Sequence, residues 1–335
     1  MKILAVCTVK NEGAFILEWL AWNRLIGFTD FMMFQNDSTD GTKELLQLLA
    51  DHNLIHYQDN DGARYKSPQR YSYRCASRSE RYRSADWAMA IDIDEFVRIN
   101  VPGGTLPDLI AAYPEDAEEI RLVWRVFGCA GHKEMSDDLV TSRFDATLPE
   151  QFARRLQMPT KTLFKTASFS RFGVHLPKEH LFETWNSYTG SGNRTDPSQL
   201  NIFAINDAEG GTLGSVHHYI VKDIQNYILK CDRGKSGHPG REMDLPYWKI
   251  WNAKGQRDET FRSKSEMIRD EIERIDRICG GEALKLHRAA VEWRAKRYAE
   301  LVKEPKYARV LSDILAYEYG ATGLDFVTDL VVAEV

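Results

Sequence analysis

Trp87-Ala88-Met89-Ala90-Ile91-Asp92-Ile93-Asp94-Glu95-Phe96 is the stretch around which the chain is organised. Its first five residues are apolar and of strand length, and two carboxylates one residue apart follow at once. Side chains alternate along a strand, so Asp92 and Asp94 leave it on the same side. Carboxylates that close repel each other unless a cation or a donor sits between them. A hard divalent ion such as Mg²⁺ or Mn²⁺ suits oxygen ligands of this kind and often binds substrate phosphates as well. The plainer alternative is a solvated strand end carrying an aspartate cap.

The residues before this stretch place it in a sheet. Ile3 to Val9 is a continuous apolar run, as expected of a strand covered on both faces. Lys10-Asn11-Glu12-Gly13 breaks it. A helix is predicted from about Ala14 to Leu25, with Phe15, Trp19, Trp22 and Ile26 as a core-facing stripe and Gly27 as its C-terminal cap. Phe31 to Phe34 reads as a second strand. It runs through Asn36-Asp37-Ser38-Thr39-Asp40-Gly41-Thr42 into a helix that Ser38, Thr39 or Asp40 could cap. Leu54 to Tyr57 reads as a third strand, and a helix rich in Arg, Tyr and Ser covers about Gln69 to Ser84. Strand and helix thus alternate through the first hundred residues. This predicts an α/β fold with a parallel sheet and right-handed crossovers. Polar residues stand at each strand exit, where open α/β sheets bind ligands. Neither GxGxxG after the first strand nor GxxxxGK[ST] is present, so the dinucleotide fingerprint and the P-loop are both excluded.

The chain has 335 residues, 43% apolar and 28% charged, with a net charge of −5. These values describe a soluble globular protein and argue against a broad nucleic-acid surface. The five cysteines are scattered without a CxxC, which fits a reducing compartment and excludes a zinc ribbon or finger. The apolar run after Met1-Lys2 is short and lacks a cleavage site, and no stretch reaches membrane-span length. The expected location is cytoplasmic.

Three segments carry a resemblance: Val9-Lys10-Asn11-Glu12, Asn36 to Thr42, and Trp87 through Asp92-Ile93-Asp94-Glu95-Phe96. Trp124 to Gly131, and His217-His218-Tyr219 followed by Lys222, Lys230 and Arg233-Gly234, extend it. Together they resemble glycosyltransferases of the family 2 type with a GT-A fold, in a branch with a D-x-D-E-F signature, over roughly Met1 to Pro239. The resemblance implies a GT-A-type, Rossmann-like, mixed and mostly parallel sheet flanked by helices. Residues 1–240 would form the transferase domain. Within it, 1–100 would be the nucleotide-binding half and 101–240 the half that completes the acceptor and metal sites. Residues 241–335 would form a helical C-terminal extension.

The resemblance also implies roles. Val9, Lys10, Asn11, Glu12 and Asp37 would hold the base and ribose of a nucleotide-sugar donor, a UDP- or GDP-sugar. Asp92 would face the ribose or a metal-bound water. Asp94 would bind a Mn²⁺ or Mg²⁺ ion bridging the donor's diphosphate, and His218 would complete the metal shell. Adjacent histidines on a strand point to opposite faces, so only one of His217 and His218 can join such a site easily.

Arg233 and Lys235, ahead of a Gly-containing loop, could close over the diphosphate as a lid. The acceptor would be a saccharide or lipid-linked hydroxyl near Phe127 to Gly131. Asp138, Glu179 and Glu183 are the candidates for the base that takes its proton, and Glu95 would support the metal site from behind. His175 reads as either structural or a ligand. In the last hundred residues Ile268, Ile272, Ile275 and Cys279 form one helical stripe. Leu284, Val291, Tyr298 and Val302 form another, beside Lys285, Arg288, Arg294, Lys296 and Arg297. These helices could pack on the sheet, dimerise, or touch an anionic membrane surface. A nucleotidyltransferase or phosphoesterase on the same fold, or a non-catalytic nucleotide-sugar-binding protein, is the alternative.

Overall fold

The computed structural model describes residues 1–60, 67–149, 158–196, 207, 210–234 and 243–320. Four strands, β1 (Ile3–Val9), β2 (Asp30–Gln35), β3 (His56–Asp59) and β4 (Trp87–Ala90), lie in the order β3-β2-β1-β4, all parallel. Val6 sits between Met32 and Ala90 in register. Alternate residues of β1 feed two cores, which is why the run is apolar throughout. Ile3, Ala5, Cys7 and Val9 pack with Trp19 and Trp22 of the helix Ile16–Leu25. Leu4 and Val6 pack on the other face with Tyr73 and Ala76 of the helix Pro68–Ser77. Each such buried aliphatic side chain contributes about 1.5–3 kcal/mol.

Beyond β4 the sheet becomes mixed. The remaining strands are β5 (Glu95–Ile99), β6 (Glu119–Val126), β7 (Ala146–Thr147), β8 (Thr160–Lys165), β9 (Phe169–Arg171), β10 (Lys178–His180), β11 (Ser187–Thr189), β12 (Arg194–Thr195), β13 (Gly214–His218) and β14 (Gln256–Arg257). β8 inserts antiparallel between β4 and β6, β11 runs parallel to β6, and β12 closes that edge. β13 pairs with β6 in parallel and with β5 antiparallel, placing His218 opposite Glu95. Two short ladders, β9–β10 and β7–β14, stand apart. The result is the α/β, mixed and mostly parallel sheet flanked by helices that a GT-A-type fold requires.

The differences from the sequence reading are local. The third strand forms two residues later than expected, at His56–Asp59. The helix predicted over Gln69 to Ser84 is two, Pro68–Ser77 and Glu80–Ser84. Ser79 breaks them apart, its hydroxyl accepting from the Tyr82 amide at 3.1 Å as an N-cap. The helix after β2 starts from Gly41 in a left-handed conformation without a side-chain cap. Asp40 instead ties two elements together, accepting from the amides of Thr42 at 3.0 Å and Gly13 at 2.9 Å.

The C-terminal helices lie on the sheet domain. The helix Ser265–Ile278 covers the helix Ile16–Leu25, with an Arg24–Glu271 ion pair at 2.8 Å. The helix Ala283–Leu301 crosses the turn Gly13–Phe15 and the helix Ile224–Arg233. A Cβ on Gly13 would meet the Ala290 Cβ at 2.8 Å, so only glycine allows that approach. The helix Pro305–Tyr319 adds Leu311 and Ile314 to a second core with Tyr227, Ile228 and Trp248. No helix of the described residues is long and apolar enough to cross a membrane.

Candidate functional site

The chain leaves β1 towards β2 on one side, then returns to place β4 on the other. Neighbouring strands that lead away in opposite directions open a crevice at their carboxyl ends. Asn11 and Glu12 stand at the end of β1, and the Asp92–Asp94 turn stands at the end of β4. Asn11 has a left-handed backbone, φ 52°, and its side chain accepts from the Thr39 amide at 2.8 Å. Its own amide donates to Ser38 at 3.1 Å. The β1 and β2 exits are thereby locked together. Val9 is buried and Lys10 half-buried, while Asp37 is exposed with φ 50° and accepts from the Asn36 side-chain amide at 3.3 Å.

The acidic turn is held by a nest of donors. Asp92 accepts from Gln69 at 3.1 Å and from the Lys161 ammonium at 2.9 Å, and its amide donates to Glu95 at 2.8 Å. Lys161, on β8, is wholly buried and also lies 3.2 Å from Glu95. Burial works against its charge, but Asp92 and then Glu95 hold the ammonium well above the usual lysine value. Burial, only partly offset by Lys161, pushes Glu95 up to about 7. Asp94 accepts from Lys230 at 3.0 Å and sits 3.4 Å from His218 Nε2. Burial opposes ionisation here too, yet Lys230 and then His218 outweigh it and keep the carboxyl well below its ordinary range. His218 packs edge-on against Trp124, with ring centres 4.2 Å apart. His217 points the other way, against Phe127 and Phe261. His175 bonds the Thr160 carbonyl at 3.0 Å and flanks Trp124, a structural position.

The expected Mn²⁺ or Mg²⁺ site at Asp92, Asp94 and His218 does not assemble. Among the described residues no group of three or more His, Cys, Asp or Glu side chains is arranged to hold a metal ion. The physical reason is visible. Lys161 and Lys230 already supply the countercharge that a cation would bring, and Gln69 takes a further Asp92 oxygen. The donor set as folded suits ammonium groups, not a divalent ion.

Arg233 forms an ion pair with Glu12, so it is anchored to the β1 exit, while Lys235 lies outside the described residues. The three base candidates fall apart in space. Asp138 is exposed, accepts from Ser136 at 2.7 Å, and lines a cavity of about 400 Å³ with Phe15, Glu18 and Arg294. Glu179 bonds Ser170 at 2.7 Å and pairs with Arg171 on the β9–β10 hairpin, and Glu183 is exposed just beyond it. That hairpin docks by Phe169 and Phe172 onto Tyr73 and Tyr82, so its carboxylates do not join the acidic turn.

Residues that the sequence reading left without a role also gather here. Lys222 and Arg294 stand 4.4 Å and 4.6 Å from the ring of Phe15, which is half-buried and packs at the edge of the main core. Arg294 donates to the Asn11 carbonyl at 3.2 Å and to Asn226 at 3.1 Å. The signal for Arg294 is its place three residues after Val291 and four before Tyr298, on the buried stripe. For Lys161 it is a lysine inside the run Thr160 to Phe164.

The model of glycosyltransferase family 92 matches residues 3–198. A glycosyltransferase family 92 protein of rice, Oryza sativa subsp. japonica, is 29% identical over 151 residues, which are 43% of this chain and 25% of the rice protein. The chain thus spans about a quarter of that relative's length. Among solved structures, Staphylococcus aureus TarS 1–349 is 14% identical, covering 53% of this chain and 52% of that one, with a TM-score of 0.33. Glucosyl-3-phosphoglycerate synthase from Mycobacterium tuberculosis, in complex with Mn²⁺, UDP and glucosyl-3-phosphoglycerate, is 15% identical. It covers 83% of this chain and 80% of that one, with a TM-score of 0.29. These structural likenesses are too distant to place any side chain. The match over residues 3–198, which contains β1 to β4 and the acidic turn, shows that the chain belongs to glycosyltransferase family 92.

Proposed function

We propose that this protein transfers a glycosyl group from a nucleotide-activated sugar, a UDP- or GDP-sugar, to a hydroxyl of a saccharide or lipid-linked acceptor. One observation supports this best. The Asn11–Glu12 loop and the Asp92–Asp94 turn meet at the carboxyl ends of adjacent strands β1 and β4, where the chain winds away in opposite directions. Family membership gives that crevice its chemistry.

In this reading the base and ribose lie over Asn11, Asp37 and the β2 exit. The reaction breaks the bond between the anomeric carbon and the diphosphate oxygen, and the departing nucleoside diphosphate takes the electron pair. Fixed positive groups stabilise the developing charge. The acceptor oxygen bonds the anomeric carbon and gives its proton to a carboxylate. Asp138 is the base candidate, since it lines the large cavity that also reaches Arg294.

Calorimetric titration of UDP, GDP, CDP and dTDP, with and without Mn²⁺, tests the donor site. One nucleotide is expected to bind, and Asp37→Ala to weaken it about tenfold. No binding of any of the four would overturn the reading. The products separate it from its rivals. Release of a nucleoside diphosphate from the donor marks glycosyl transfer or hydrolysis. Release of pyrophosphate would mark a nucleotidyltransferase, and no turnover a binding protein. Asp138→Asn is expected to lower kcat and leave nucleotide affinity unchanged. An unchanged kcat would remove Asp138 from the reaction.

A further inference from the structure

Four cations line one small cleft beside Asp94: Lys222, Lys230, Arg233 and Arg294. Three carboxylates in or beside it are already matched. Glu12 pairs with Arg233, Asp94 with Lys230, and Asp232 with Arg297 at 3.0 Å. Lys222 and Arg294 form no ion pair among the described residues, although they are only 6% and 7% exposed. Both stand within 4.6 Å of one ring, Phe15. Arg294 is aimed by two acceptors, the Asn11 carbonyl and Asn226. Lys222 is set by a left-handed backbone, φ 56°, directly after β13 and its short extension. A buried cation without a carboxylate in contact is costly to a fold, and two around one ring cost more, since like charges repel. Fixed cations around a cleft are what a phosphate needs.

We propose that Lys222, Lys230 and Arg294, all beyond the family-matching residues 3–198, form the binding site for the diphosphate of the donor, with Arg294 supplied by the helix Ala283–Leu301. The inference rests on the donor reading for the identity of the anion, and goes beyond it in naming the groups that hold it. Lys230 bridges the two halves of the site, because it already donates to Asp94 and the Ile220 carbonyl and would give its third N–H to the phosphate. Arg294 and Asn226 also line the neighbouring cavity of about 400 Å³, which leaves room for the rest of a ligand. The helix Ala283–Leu301 is then part of the donor site: it covers the β1 exit through Gly13 and Ala290 and carries its arginine into the cleft.

The test is calorimetry with two probes, inorganic pyrophosphate and the nucleoside diphosphate that binds best, in EDTA and again in Mn²⁺. The proteins are wild type, Arg294→Lys, Arg294→Ala and Lys222→Met. Thermal melts identify any variant that fails to fold. Arg294→Lys keeps the charge and Lys222→Met the length, so either keeps the test open if Arg294→Ala does not fold. Affinity for both probes in EDTA is expected to fall about tenfold or more in Lys222→Met and Arg294→Ala, and less in Arg294→Lys. A nucleoside diphosphate that binds all four proteins equally would overturn this inference and leave the donor reading intact. Pyrophosphate binding that depends on these residues, without binding of any nucleotide, would support the anion site and overturn the donor reading. If neither probe binds wild type, both fall.

Discussion

Two buried lysines lie near the same acidic turn, and their surroundings differ in kind. Lys161 on β8 is wholly enclosed and lies within 3.2 Å of both Asp92 and Glu95. Lys222, after β13, is nearly as enclosed, stands against the ring of Phe15 and forms no ion pair among the described residues. The charge of the first is held by carboxylates. Burial, more than Asp94 can offset, pushes the second down to about 7. Burial alone therefore does not fix a lysine's state; the partners do. A lysine with its countercharge built in is part of the scaffold. One without it is stabilised only by something that arrives.

The strongest way to break this comparison is to remove the matched lysine. Lys161→Met leaves Glu95 and Asp92 close together without their cation, and Glu95 has no exposed surface. Breaking one partner of a buried pair typically costs about 3–5 kcal/mol. The urea midpoint is expected to fall accordingly, and Lys161→Met combined with Glu95→Gln to recover part of the loss. If Lys161→Met alone is as stable as wild type, Lys161 is not what holds the turn.

A middle-sized effect comes from moving the basic side without changing any charge. Gly13→Ala would push its Cβ to 2.8 Å from Ala290, forcing the helix Ala283–Leu301 away from the β1 exit and carrying Arg294 with it. Overpacking of this kind costs about 1–3 kcal/mol. A lower melting temperature and weaker pyrophosphate binding are expected together. Gly13→Ala with Ala290→Gly should recover the affinity, while a glycine inside the helix still costs about 1 kcal/mol. A double variant that stays as weak as Gly13→Ala would mean that the contact does not set Arg294.

The sequence carried the first half of this picture and hid the second for physical reasons. β1, β2 and β4 are short apolar runs with polar exits, and their pattern is local, so the strands themselves and the acidic turn could be read directly. The partners of that turn could not. Lys161 is one residue in a strand whose antiparallel insertion between β4 and β6 depends on pairing across some seventy residues. Arg294 meets Asn11 across 283 residues, and it sits in a helix whose Arg288 and Lys296 are exposed. Its charge therefore blends into a solvated face unless the stripe through Val291 and Tyr298 is followed. The two lysines at the acidic turn were hidden for the same reason. Two carboxylates imply a cation, but the pattern Asp-x-Asp does not say whether that cation is an ion or a lysine from elsewhere in the chain.

The smallest expected effect is the most discriminating, because its sign runs against intuition. Lys222→Met removes a charge from the site, yet it should raise stability by about 1 kcal/mol near neutral pH, as a well-fitted apolar group replaces an unpaired buried cation. The pH dependence gives the second half of the argument. The unfolded chain keeps the lysine proton up to about 10.5, while burial makes the folded protein release it near 7. Between those values the unfolded state binds more protons, so wild-type stability rises with pH across the window and falls as pH drops back through it. Asp94 and Asp223 oppose that shift, while Lys230 and Arg294 reinforce it. Lys222→Met should flatten the slope between pH 7 and 10, and saturating pyrophosphate should flatten it in wild type by holding the ammonium charged. Urea midpoints across that range, with and without pyrophosphate, measure both. A wild-type slope that neither the substitution nor the anion alters would show that Lys222 keeps its proton without help, and the contrast with Lys161 would be lost.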